Sequence, residues 1–215
     1  LADHRNSPQR RVRILDPCVG TGRFYIEILR FIYNNTLRNN PEREPFAREA
    51  ILRAIGTPEV PGRVYAFDLQ PACVLFSIFQ LQVLLDELEI TEDIRPQIFT
   101  TDALEGWSGG AIGEGWMSPL EGAELIAHLS NPARRNINTV KQTTPIDVMI
   151  GNPPWDGSDT PNEGYQNLTA IETLIRPWRD VYHAEKRARG QTHSSFLTDP
   201  YLGFIRVAML KDNSQ

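Results

Sequence analysis

The segment Asn152-Pro153-Pro154-Trp155 carries the most distinctive chemistry in the chain. Two consecutive prolines stiffen the backbone, and neither donates a hydrogen bond. The tetrapeptide therefore presents the amide oxygen of Asn152, the carbonyl of Pro153 and the aromatic face of Trp155. An exocyclic amine conjugated to a ring is a poor nucleophile, because its lone pair is delocalised. Two acceptors that take its hydrogens favour a more tetrahedral nitrogen and direct the lone pair at an electrophilic methyl group, while an aromatic ring stacks on the base. No general base with a shifted pKa is needed before attack. Read alone, the same four residues also make a rigid turn with a buried Trp, so their meaning depends on what precedes them.

Three acids precede them, each at the end of a β-rich run. In Arg13-Ile-Leu-Asp16-Pro17-Cys-Val-Gly20-Thr21-Gly22-Arg-Phe24, a carboxylate and two glycines stand where a strand gives way to a helix, the place where open α/β sheets bind ligands. A dinucleotide fingerprint would need a third glycine where Tyr25 stands, and no GKS or GKT follows for a phosphate loop. Asp16-Pro17 in such a turn suits a cofactor that carries an amino acid group, whose ammonium a carboxylate can pair. Val64-Tyr-Ala-Phe-Asp68-Leu69 ends the second run in an acid placed to accept both hydroxyl hydrogens of a ribose. In dinucleotide folds that acid follows the glycines by about 20 residues. Here the interval is more than twice as long, because Thr36–Pro61 is inserted with a helix of its own near Phe46–Ile55. Phe99-Thr-Thr-Asp102-Ala103 ends the third run in an acid that suits an adenine amine. Each of these acids singly is also what an Asx turn requires.

The elements that must position these groups follow from periodicity. Runs at Val12–Leu15, Arg63–Phe67, Gln97–Thr100 and Ile146–Ile150 alternate with segments of helical period, which predicts an α/β, doubly wound, mostly parallel sheet. A helix is expected over Arg23–Asn35, laying Phe24, Ile28 and Phe31/Ile32 on the sheet. A second long helix is expected from Ala72 to Leu88 after Pro71, with Phe76, Phe79 and Leu84 in the core. Between Leu104 and Thr144 a Gly-rich connection with a short helix near Pro119–Leu129 leads to the fourth strand. Helices near Tyr165–Arg189 and Ser195–Leu210 close the chain. Only four strands are found where such a sheet has five to seven, so the chain reads as a partial domain of a larger polypeptide, with an uncovered edge beside the fourth strand.

Composition bounds the rest. The 215 residues, 40% of them apolar, suffice for one core. No run is long and apolar enough to span a bilayer and no signal-peptide core is visible, which predicts a cytoplasmic protein without membrane contact. Cys18 and Cys73 have no CxxC spacing and no histidine cluster, so neither a metal site nor a disulfide framework is expected, and both read as small buried residues. The net charge of −5 speaks against indiscriminate nucleic-acid binding, since duplexes are gripped by Lys and Arg. The basic stretch from Arg176 to Arg189 reads as a solvated helix face.

Taken together, DPCVGTGRF, FDLQP, TTDAL and NPPW, in this order over Leu15–Trp155, resemble the gamma-order N6-adenine DNA methyltransferases. The stretch NPPWDGS and the later Asp199-Pro-Tyr-Leu-Gly-Phe-Ile-Arg-Val-Ala are similar to the methyltransferase domains of large single-chain restriction-modification enzymes, including the type ISP and type IIG groups, and to related phage-defence methyltransferases. The resemblance implies a Rossmann-like fold that binds S-adenosylmethionine. It implies a cofactor pocket formed by Asp16, Pro17, Gly20, Thr21, Gly22, Asp68, Leu69, Asp102 and Ala103, with Asp68 on the ribose and Asp102 on the adenine amine. It further implies that Asn152, Pro153, Pro154 and Trp155 hold a flipped adenine, and that DNA is gripped largely by regions outside this chain. Two features of the family pattern have no counterpart: a Thr-Pro helix before the first strand, and the later strands with a target-recognition domain. The same acceptors suit an adenine in RNA or a glutamine side chain in a protein, and the fold also serves as a scaffold without catalysis.

Overall fold

The computed structural model describes residues 12–38, 41–104, 139–153 and 200–212, with residues 137, 176, 180 and 184 singly between them. They fall into two compact units, one made of the described residues up to Thr101 with Ile146–Asn152, the other of those from Asp102 to Pro145 and from Pro153 onward.

The first unit is built on four strands: β1 (Ile14–Asp16), β2 (Val64–Asp68), β3 (Gln97–Thr100) and β4 (Val148–Met149). They pair in parallel in the order β3-β2-β1-β4. All four lie within or next to the runs predicted from sequence. Val64, Tyr65, Ala66 and Phe67 of β2 are all buried, the continuous apolar run of a strand covered on both faces. β4 is fastened to β1 at both of its ends. The Asp147 carboxylate accepts the amide of Arg13 at 2.8 Å, and at the other end the Ile150 amide donates to the carbonyl of Leu15 at 3.0 Å.

Helix α1 (Arg23–Leu37) leaves the glycine turn after β1. Its buried residues are Tyr25 and Leu29, with Ile28 and Ile32 partly buried against the core, whereas Phe24 and Phe31 are exposed. The expected stripe is thus rotated by one residue. Apolar side chains fill residues 24–26, 28–29 and 31–33, so more than one face satisfies the three-to-four spacing and packing chooses the phase.

Helix α2 (Glu44–Ile55), entered through a 3₁₀ turn at Pro41–Arg43, is the inserted element that lengthens the path to β2. It packs on α1 and buries Ala47, Ile51, Ala54 and Ile55. Arg48 on its surface bonds both the carboxylate and the backbone carbonyl of Glu89, beyond the end of α3. Helix α3 (Pro71–Glu87) buries Val74, Ser77, Leu81, Leu84 and Leu85. Leu84 lies in the core as expected, but Phe76 and Phe79 are 45% and 62% exposed. Their rings instead lie 6.3 Å apart on the outer face of a helix that is apolar nearly all round. Hydrophobicity without a strong period does not say which side meets the core.

In the second unit, helix α4 (Pro200–Asp212) buries Phe204 and Val207, and Gly203 lies against Leu104. It falls within the predicted C-terminal helix. The helix expected near Pro119–Leu129 and most of the stretch Tyr165–Arg189 lie outside the described residues. Arg176, Asp180 and Ala184, spaced by four, are helical and exposed, as a solvated face requires. No described helix is long and apolar enough to cross a membrane.

Among the described strands β4 stands at an edge, with Val148 and Ile150 exposed by 43% and 38%. Apolar edge strands pair with other chains. Light scattering of the 215-residue chain should therefore show self-association that Val148→Lys suppresses. A monodisperse monomer at high concentration would contradict this.

Candidate functional site

The strand order places the site. From β1 the chain moves to β2 and β3 on one side, and β4 is then added on the other side of β1, so the direction of winding reverses between β1 and β4. In open parallel sheets the crevice outside the carboxyl ends of the strands at that reversal is where ligands bind. The residues that leave β1 and β4 there are Asp16-Pro17-Cys18 and Ile150-Gly151-Asn152, and Asp68 ends the neighbouring β2.

The glycine turn is held on three sides by backbone and side-chain bonds. The Gly22 amide donates to the carbonyl of Val19 at 2.9 Å, closing the turn, and the Val19 amide donates to the carbonyl of Phe67 in β2 at 2.8 Å. The Gly20 amide donates to Asp68 Oδ2 at 2.8 Å. Its carbonyl lies 3.0 Å from the hydroxyl of Ser77 in α3, whose single hydrogen it shares with the Cys73 carbonyl one turn back, at 2.9 Å. Gly20 and Gly22 have φ of +53° and +85°, a left-handed backbone that favours glycine. Among the described residues a Cβ on Gly20 would meet nothing within 4 Å, so its outer side is open to them, whereas a Cβ on Gly22 would lie 3.0 Å from the Cα of Ser77. Gly22 thus lets α3 come close enough for Ser77 to reach the turn. Thr21 between them is exposed, as is Leu69 after Asp68.

Asp68 is half-buried, and its other oxygen, Oδ1, accepts the amide of Gln70 at 2.8 Å. Each carboxylate oxygen retains further lone-pair capacity beyond its one backbone bond. Asp16 differs. It has no exposed surface, its Oδ1 accepts the Cys18 amide at 3.1 Å, and its Oδ2 has no partner among the described residues. Burial, and secondarily the nearby Asp68, push its carboxyl up to about 7, against the opposing effect of the Cys18 amide. Cys18 and Cys73 are free thiols, half-buried where full burial was expected. Burial together with the charges of Asp16 and Asp68 pushes Cys18 up to about 12, so it stays a thiol.

Asn152 is exposed at the end of β4, directly beyond the ladder. The first unit therefore brings together Asp16, Pro17, Gly20, Thr21, Gly22, Asp68, Leu69 and Asn152 at the carboxyl ends of three adjacent strands. Asp102, Ala103 and Pro153 belong to the second unit. There Asp102 is buried, its Oδ1 accepts the Leu104 amide at 2.8 Å, and its backbone carbonyl accepts from the buried ammonium of Lys141 at 2.5 Å. Pro154 and Trp155 lie outside the described residues. Among the described residues no cluster of three or more metal-ligating side chains occurs. A groove of about 430 Å³ beside the turn is lined by Thr21, Gly22, Arg23, Ile26, Glu27, Arg30 and Gln80, and contains none of the three carboxylates named for the cofactor.

Sequence reasoning missed Ser77, Cys18, Gly151 and Lys141. Ser77 left a signal, a hydroxyl inside an otherwise apolar helical run. Such a residue within a buried stripe needs a partner, and the carbonyls of Gly20 and Cys73 are its acceptors.

No protein-family model matches the chain, and no curated protein matches it either. Among solved structures, the fold is similar to three DNA-bound complexes. A nuclease-deletion mutant of the type ISP restriction-modification enzyme LlaGI with a DNA substrate mimic matches 93% of this chain with a TM-score of 0.57 and 19% identity. The DrdV–DNA complex matches 94% with a TM-score of 0.58 and 18% identity. The ATP-dependent type ISP restriction-modification enzyme LlaBIII bound to DNA matches 96% with a TM-score of 0.60 and 17% identity. At these identities the likeness is one of fold. The chain spans 14%, 16% and 12% of the lengths of those proteins respectively.

The buried Asp16 yields a pH test. Its folded-state pKa lies above its unfolded value of 3.8, so between about pH 4 and 7 the folded chain holds a proton that the unfolded chain has lost. Stability conferred by the protonated form is complete below the unfolded pKa and is lost as pH rises through about 7. The loss is at most about 4 kcal/mol at roughly 1.4 kcal/mol per pKa unit. In Asp16→Asn this dependence should vanish, so the difference in Tm between variant and parent should grow in the variant's favour from pH 4 to pH 8. Parallel Tm–pH curves would refute the assignment.

Proposed function

We propose that this chain is the cofactor-binding and catalytic core of an enzyme that transfers a methyl group from S-adenosylmethionine to the exocyclic N6 amine of adenine in DNA, within a restriction-modification polypeptide. The observation that carries the reading is the placement of Asn152 at the winding reversal, beside a glycine turn that Asp68 and Ser77 hold in place.

The residues present suit this cofactor. Gly20 has open space on its outer side and leaves the backbone approachable. Asp68 keeps unused lone pairs at the end of β2, the usual place for a ribose-binding acid. The unpartnered Oδ2 of Asp16 is a buried acceptor, and a cationic amino group beside it would favour the ionised carboxylate. Because Asp16 has no exposed surface, reaching that oxygen requires displacement of the chain that covers it. Asp102 is the proposed acceptor for the adenine amine of the cofactor. When bound, S-adenosylmethionine supplies an electrophilic methyl carbon on a sulfonium.

The protein's own part is to prepare the nucleophile. The amide oxygen of Asn152 and the carbonyl of Pro153 accept the two hydrogens of the target amine, which draws its lone pair out of conjugation. Trp155 stacks on the extruded base. Extrusion costs a few kcal/mol, offset by that stacking and by the two hydrogen bonds. The fold shared with two type ISP restriction-modification enzymes and with DrdV, all in DNA-bound complexes, favours DNA as the substrate. The net charge of −5 places most of the phosphate grip on other parts of such a polypeptide.

In the full-length polypeptide, Asn152→Ala should reduce methyl transfer at least about 100-fold while leaving cofactor affinity within about tenfold, because Asn152 addresses the target and not the cofactor. Asp68→Ala should do the reverse and weaken cofactor binding in calorimetry. Tritiated S-adenosylmethionine offered with DNA, RNA and protein should label DNA. Label in protein or RNA alone would overturn the substrate, and unchanged turnover of Asn152→Ala would overturn the mechanism.

A further inference from the structure

Beyond Ile150 the ladder between β1 and β4 has no further backbone bond, yet the two chains stay in contact. Directly beyond it the Asn152 amide faces the sulfur of Cys18. Between them sits Gly151, packed so closely on the cofactor turn that no side chain fits. A Cβ there would lie 2.9 Å from Asp16 Oδ1, 3.1 Å from the ring Cδ of Pro17 and 3.2 Å from the sulfur of Cys18. None of these neighbours yields readily. Asp16 is wholly buried and its Oδ1 holds the Cys18 amide, and Pro17 is a buried rigid ring.

We infer that Cys18 and Gly151 are positioning residues: together they seat the backbone of Asn152 directly on the cofactor turn, and so fix the distance between the amine acceptor and the cofactor. Gly151 sets the closeness of approach, since it alone allows the end of β4 to touch Asp16 and Pro17. Cys18 sets the orientation, with its sulfur as the acceptor of the Asn152 backbone amide. Neither residue touches a substrate; both act through Asn152. The thiol is suited to this as a neutral, weak acceptor. It adds no charge beside the two carboxylates and, held protonated by its surroundings, it is not a nucleophile. The kinetic consequence rests on the methyl-transfer reading, whereas the contact itself does not.

Two measurements separate these. In the full-length polypeptide, Cys18→Ala should lower kcat about fivefold and Gly151→Ala at least about tenfold, with S-adenosylmethionine Kd within about twofold, since a misplacement of an ångström or less acts on rate before binding. Cys18→Ser, which keeps an acceptor, should restore kcat. In the 215-residue chain, the Asn152 amide resonance in a nitrogen–proton NMR correlation spectrum should shift in Cys18→Ala and return toward the parent position in Cys18→Ser. An unmoved Asn152 amide in Cys18→Ala overturns the contact, and it can be read even if Gly151→Ala fails to fold. Unchanged kcat in Cys18→Ala, or a loss matched by the same loss of cofactor affinity, overturns the positioning role. A parent protein that methylates nothing would instead defeat the methyl-transfer reading, with the spectrum still deciding the contact.

Discussion

The bond from the Gly20 amide to the Asp68 carboxylate joins the end of β1 to the end of β2 outside the sheet, where no ladder bond is available. A turn with two left-handed residues is conformationally costly to fix in an isolated chain, and glycines lose the most freedom on ordering. Here the turn is fixed because each group of the Gly20 peptide is claimed: the amide by Asp68, the carbonyl by Ser77. The Ser77 bond in turn requires α3 to approach Gly22 so closely that its Cα would contact a Cβ. Strand, turn and helix therefore specify one another, and the glycine turn is braced without any ligand.

Rigidity of this kind is what positioning chemistry demands. The proposed reaction needs no shifted catalytic base, only acceptors placed around an amine and a methyl donor within reach. The winding reversal between β1 and β4 supplies the geometry, because the two chain segments that diverge there are the glycine turn and the Asn152 corner. Electrostatics is the secondary theme. Burial foremost, and the charge of Asp68 after it, push the Asp16 carboxyl up to about 7.

Much of this was legible in the sequence, and for identifiable reasons. The four β-rich runs, the helices that follow them and the acids at strand ends depend on local periodicity and on turn residues, which the linear order of side chains carries directly. Asp16, Asp68 and Asn152 all lie where strand-end reasoning puts them, and the insertion before β2 explains the long interval to Asp68. The core faces were read less well. Phe76 and Phe79 of α3, and Phe24 and Phe31 of α1, were expected inside and lie outside. Apolar content states that a helix has a face to bury. When neighbouring positions are all apolar, only the packing partner selects which face it is.

What the sequence by itself determined is the chemistry on offer: the acceptors of Asn152 and Pro153, a turn that only glycine can make, and three acids at the ends of three strands. What only the tertiary structure decided is which of these meet. The pairing of β4 with β1, the reach of Ser77 from α3 to Gly20, and the seat of Gly151 on Asp16 and Pro17 all join residues far apart in the chain. No local preference encodes such contacts. They arise when buried surfaces pack to their closest fit, and a single missing side chain, as at Gly151, then fixes how near two segments come.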